Sequence, residues 1–172
     1  MQFWERQIKL ARYMLLGTVI ITVINMAFLL GNVDMFISYC AAVPYYLVML
    51  GNVNGEFTAT GLVMAGVILA VYLVVWWLAR DSRKWLQVGL WLIVADLAAL
   101  IVMGFVLFSS PLECLWEAVF HIAVIYEMAQ GLSAQKKLEA ALTKARAEAA
   151  QQEALPAEET QEEEAPEEAP VP

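Results

Sequence analysis

Asp96, Glu117 and His121 are the residues of this chain best placed to do chemistry, because each interrupts an otherwise apolar run long enough to cross a bilayer. An ionisable side chain at the centre of a hydrocarbon layer costs about 3 kcal/mol or more, so such residues mark proton relays, ion pathways or buried pairs. Glu113, Glu117 and His121 step by four, and Cys114, Glu117 and His121 step by three and four, so each set shares a helix face. Asp96 lies about ten residues from the start of one run and His121 about ten from the start of the next. At 1.5 Å per residue both are about 15 Å deep. A short connection makes the two helices antiparallel neighbours, so Asp96 can meet His121 near the midplane. Asn25, near the far end of an earlier run, has a depth similar to that of Glu117. Asn25, Asp96, Glu117 and His121 therefore form one candidate polar pocket, with Cys114 at its rim.

Three chemistries fit such a pocket. The polar groups can hold helices together by hydrogen bonds, each worth about 0.6 kcal/mol. Asp96 and His121 can exchange a proton, because burial disfavours both the carboxylate and the imidazolium. Glu117, His121 and Asp96 can bind zinc or another transition metal, although one His with two carboxylates is a thin ligand set; no metal or other cofactor is expected. Enzyme chemistry finds no support. With a single His in the chain, no two-His metal motif can form, and no Gly-rich phosphate loop occurs. Cys114 and His121 are two turns apart on one helix, about 10 Å along its axis, too far for a nucleophile and its base.

The elements that must position these residues follow from hydropathy. Hydrophobic residues make up 61% of the chain and charged ones 16%, and the apolar ones lie in long runs rather than on alternating faces. Four spans are expected, over about 10–30, 57–78, 85–108 and 111–130. Tyr13 to Leu30 is uncharged and about 27 Å long as a helix. The segment 36–50 is apolar and aromatic but too short to cross, and reads as an outer interfacial or re-entrant element. Leu-Gly-Asn-Val occurs at 30–33 and again at 50–53. Helix-ending punctuation explains the repeat. A cation site using Asn32, Asp34, Asn52, Asn54 and Glu56 is the alternative, with spacing that matches no calcium loop. Cys40 and Cys114, the two cysteines, are both expected on the outer side, where one bridge between them is conceivable.

Charge sets the orientation. Arg6, Lys9 and Arg12 precede the first run, Arg80, Arg83 and Lys84 lie between the second and third, and Lys136, Lys137, Lys144 and Arg146 follow the fourth. In a four-span arrangement all ten basic residues fall on one side, which is the cytoplasmic one. The net charge of −8 belongs to the end of the chain, where eight Glu and no Lys or Arg follow residue 152. Residues 132–154 are strong helix formers and 155–172 form a Pro-, Glu- and Ala-rich stretch expected to be a disordered acidic tail.

The fold expected is thus an all-α integral membrane protein: a four-helix membrane domain over 1–131, both termini inside, then a cytoplasmic helix and the tail. Gly61, Ala65, Gly66 and Ala70 are candidate helix-packing positions, since small residues let helices approach closely. The expected partners are the lipid bilayer and either a second copy of the chain or another membrane protein, and no nucleic acid. The location expected is a cytoplasmic membrane of bacterial type. The function expected is that of a non-enzymatic accessory, assembly or regulatory subunit; a small proton- or ion-coupled transporter built on the Asp/Glu/His cluster is the alternative.

Overall fold

The computed structural model describes residues 2–53, 56–80, 82–107 and 111–153, the side chains at 53, 105–107, 111–113 and 153 excepted. Of these residues 86% are helical. The helices are α1 (Gln2–Leu30), α2 (Ala42–Leu50), α3 (Ala59–Leu78), α4 (Arg83–Leu107) and α5 (Pro111–Glu153). The chain divides into two compact units, Met1–Leu138 and Glu139–Pro172.

In the first unit, α1, α3 and α4 are long and apolar enough to cross a membrane. Their outward faces carry large apolar side chains, such as Ile20 and Val23 on α1, Val63 and Val67 on α3, and Trp91 and Val102 on α4. Faces of this kind are stable against lipid and not against water. The start of α5 carries Glu117, His121 and Glu127 and does not meet the same criterion of composition. It nevertheless joins the core. Ala11, Leu15 and Val19 of α1 pack with Leu69, Tyr72 and Val75 of α3, Leu86 and Ile93 of α4, and Val124 and Met128 of α5. A second cluster joins Ala42 and Tyr46 of α2 to Leu100 of α4, with Cys114 and Ala118 of α5 against it.

Gly131, where the sequence suggests a boundary between the membrane domain and a separate helix, does not end α5. The helix runs through it because the glycine is a point of close approach: a Cβ there would collide with the Cβ of Ala11 on α1. The missing side chain serves packing rather than a turn. In the second unit, residues 142–152 are exposed, Leu142 among them, and Lys144 and Glu148 form an exposed i, i+4 pair at 3.7 Å. The expected acidic tail, 155–172, lies outside the described residues.

The segment between α1 and α3 is the distinctive part. α1 ends in a reciprocal capping motif: Val33 N–H donates to the Phe28 carbonyl at 2.9 Å and Asn32 N–H to that of Leu29 at 3.2 Å. Asn32 takes the left-handed conformation, φ 52°, that this ending requires. The chain then folds inward along α1 before α2 runs back out, ending at Gly51. A short antiparallel strand pair follows, with Asn52 opposite Phe57 and Val53 opposite Glu56. Asn54–Gly55 is a strong sequence signal for a turn between such strands, though the pair itself lies outside the described residues. Thr58 then caps α3, its hydroxyl accepting from Gly61 N–H at 3.3 Å. Both copies of Leu-Gly-Asn-Val thus end helices. Only Asn54 of the alternative cation set falls outside the described residues; Asn32, Asp34, Asn52 and Glu56 lie within them.

Candidate functional site

Among the described residues of the first unit, six polar side chains are buried: Thr18, Thr22 and Asn25 on α1, Asp96 on α4, and Glu117 and His121 on α5. A buried polar group is tolerated when its hydrogen-bonding capacity is met. The partners here come largely from the inward-folded segment.

α2 begins badly by local criteria. The first four N–H groups of any helix lack intrahelical partners, and the capping residue, Ala41, has no side chain that could accept from them. The acceptors come from other helices. Ala41 N–H donates to Thr22 Oγ1 at 2.7 Å. Ala42 N–H donates to Asp96 Oδ2 at 2.7 Å and Val43 N–H to Asp96 Oδ1 at 2.9 Å. Pro44, the fourth residue, has no N–H to satisfy. Every orphan donor of α2 is therefore met, and a carboxylate stands at the positive end of its dipole, where negative charge is stabilising. Asp96 lies near the middle of α4, so α2 starts level with the centre of that helix.

Asn25 performs a related task one turn further along α1. Its side-chain amide donates to the carbonyl of Ile37 at 2.6 Å and its oxygen accepts from Ile37 N–H at 2.9 Å. Both backbone groups of one loop residue are thereby satisfied. Tyr39, with the unusual φ of 92°, is held by its hydroxyl against Met14 Sδ at 2.7 Å and by its ring edge-on to Phe120, centroids 6.1 Å apart. Strained backbone of this kind persists where its surroundings over-determine it.

His121 completes the arrangement. Its Nε2 is 2.8 Å from Asp96 Oδ2, with both side chains almost fully buried. Its Nδ1 is 2.8 Å from the carbonyl of Glu117, one turn back on α5. A carbonyl only accepts, so Nδ1 carries a hydrogen. One further proton lies between Nε2 and Oδ2, giving either imidazolium with aspartate or neutral imidazole with the acid. Glu117 turns elsewhere: its Oε2 accepts from the hydroxyl of Tyr46 on α2 at 3.4 Å.

The structure thus brings Asp96 and His121 together and places Glu117 one turn from His121 on α5, where it bonds to Tyr46 of α2. Asn25 faces the loop at Ile37 rather than the Asp96–His121 pair. Cys114 packs against Gly104, whose Cβ would meet its Sγ at 2.7 Å. No disulfide joins Cys40 to Cys114, so the bridge is not formed. Cys40 is almost fully buried in the loop that Asn25 holds at Ile37, which closes its thiol off from solvent. Among the described residues no three His, Cys, Asp or Glu side chains are arranged to hold a metal ion. Beside His121 a cavity of about 10 Å³ is lined by Thr18, Tyr39, Cys40 and Phe120. Such a space is at the lower limit for one water.

Of the packing candidates, Gly61 and Ala65 face inward. A Cβ on Gly61 would stand 2.8 Å from the carbonyl oxygen of Leu47, so α2 and α3 approach through it, and Ala65 is fully buried. Gly66 and Ala70 point outward, and a Cβ on Gly66 would meet nothing within 4 Å. Thr22 is the functional residue that the sequence reading missed. Its signal was present: Thr18, Thr22 and Asn25 recur at helical spacing on one side of an apolar span.

Comparison with family models, curated proteins and solved structures returns no match for this chain.

Proposed function

We propose that the protein is a four-span membrane protein with both termini in the cytoplasm and a re-entrant α2, acting as a non-enzymatic accessory, assembly or regulatory subunit. The observation that carries this reading is the destination of the buried polar groups. Thr22, Asn25 and Asp96 bond to the backbone of residues 37–43, and Glu117 reaches Tyr46. Irregular backbone at membrane depth is stable only when buried in protein and fully hydrogen-bonded. The intramembrane cluster therefore supports a scaffold that holds residues 37–46 against the spans.

α5 counts as the fourth span in this reading. Its polar residues have partners inside the bundle, and Val124 and Met128 sit in the main core. Four crossings also keep all ten basic residues on one side. The outward face of α3 around Gly66 and Ala70 offers a smooth surface for a helix of another membrane protein or a second copy.

Purification in mild detergent with mass spectrometry of the associated proteins tests the proposal. A membrane protein retained at fixed ratio, and lost from a Gly66→Leu/Ala70→Leu variant that still folds, is the result expected. Ion or proton flux in liposomes containing this chain alone, abolished by Asp96→Asn, would overturn it in favour of a transporter. The buried Asp96–His121 contact is the observation on that side, since it is a proton-sharing pair with Glu117 a turn away.

A further inference from the structure

The best unassigned feature lies at the opposite end of the bundle from the strand pair, where the basic residues gather. Arg12, ten residues beyond the start of α1, lies over the ring of Trp76, near the end of α3, with its guanidinium carbon 5.9 Å from the ring centroid. No hydrogen bond or carboxylate among the described residues satisfies it. Its Nε is shut off from solvent and has no acceptor, and the indole Nε1 of Trp76 is in the same condition. Two unpaired N–H donors thus stand together on adjacent helices, one of them on a permanent cation.

A charged donor left without an acceptor is costly, more so where water is scarce. The stacked guanidinium is also fixed in orientation, and its planar fork suits the oxygens of a phosphate. The surroundings indicate where that phosphate comes from. Trp76 and Arg12 lie at the end of the apolar runs, the level at which Trp side chains meet lipid headgroups. Tyr13 and Trp77, the neighbours in sequence, are each more than 60% exposed, as is expected of residues lying along acyl chains. Lys9, one turn before Arg12 on the same face, is exposed and adds a second positive charge.

We propose that Arg12, braced by Trp76 and assisted by Lys9, binds the phosphate headgroup of an anionic phospholipid in the leaflet on the basic side of the protein. The site lies between α1 and α3 and is separate from the Asp96–His121 cluster.

Native mass spectrometry of the purified protein offered equal amounts of phosphatidylglycerol and phosphatidylcholine tests this. The wild type is expected to retain the anionic lipid in preference by about fivefold, the ratio equivalent to about 1 kcal/mol for a basic side chain at an anionic surface. Arg12→Gln should bring the two lipids to parity, and Arg12→Lys should keep only part of the preference because it loses the fork and the stack. Should the Gln variant fail to fold, Arg12→Lys against wild type decides the matter. A preference unchanged in either Arg12 variant overturns the proposal. Displacement of the lipid by excess inorganic phosphate would also overturn it, by showing a site for a free anion.

Discussion

Asp96 receives three N–H groups: two from the backbone of α2 and one from His121 when the imidazole is charged. It therefore acts as a helix cap supplied from another part of the chain. Removing it should leave Ala42, Val43 and His121 without an acceptor in a buried setting. Asp96→Ala is expected to destabilise the protein by about 3–5 kcal/mol, the usual result of breaking a buried pair. Asp96→Asn keeps one accepting oxygen but turns an N–H₂ toward a donor, at a cost of about 1–3 kcal/mol. Denaturant unfolding in detergent checks the order, wild type above Asn above Ala; an Ala variant as stable as the wild type would refute the capping role. The meeting of Asp96 with His121 was legible from counted depth alone, because both lie on regular helices of 1.5 Å rise. The role of Asp96 toward α2 was not. Helix starts are read from side chains next to the cap, and this acceptor is 54 residues from the N–H it serves.

At the level of elements, the small residues of α3 serve opposite faces. Gly61 and Gly66 are indistinguishable in a sequence that offers two successive small-xxx-small pairs, 61–65 and 66–70. Their register differs by five residues, well over a full turn, and the structure separates them by what a Cβ would meet. Gly61→Ala should push α2 away from α3 or force the Leu47 carbonyl to move, costing about 1–3 kcal/mol as overpacking does. Gly66→Ala should be neutral or stabilise by up to about 1 kcal/mol, from helix propensity. Thermal unfolding of the two variants in the same detergent distinguishes them, and equal effects would mean that the two faces are wrongly assigned. α3 and the far end of α1 coincide closely with the apolar runs, whereas α1 starts at Gln2, well before its run, because a polar flank can continue a helix that hydropathy does not mark. α2 was legible only as a short apolar segment, interfacial or re-entrant. Its direction depends on bonds from Thr22, Asn25 and Asp96, and these are tertiary.

For the whole molecule, the quantity that decides the architecture is the number of crossings. Composition alone supports three, because Glu117, His121 and Glu127 lower the apolar character of α5. Partnering alters that balance. His121 lies against Asp96 and Glu117 against Tyr46, so neither presents a bare charge to lipid, and the penalty for inserting α5 falls accordingly. With three crossings, Lys136, Lys137, Lys144 and Arg146 would lie across the membrane from Arg6, Lys9 and Arg12, against the charge rule. A fluorescent or phosphatase reporter fused after the last residue should therefore report the same side as one fused before Met1. A cysteine replacing exposed Asp34, in the segment after α1, should be labelled from the opposite side by a reagent that cannot cross the membrane. A C-terminal reporter on the side of position 34 would show an odd number of crossings. His121 would then have to reach Asp96 from outside the bundle, which its near-complete burial contradicts, so the same experiment tests the membrane topology and the packing of the site together.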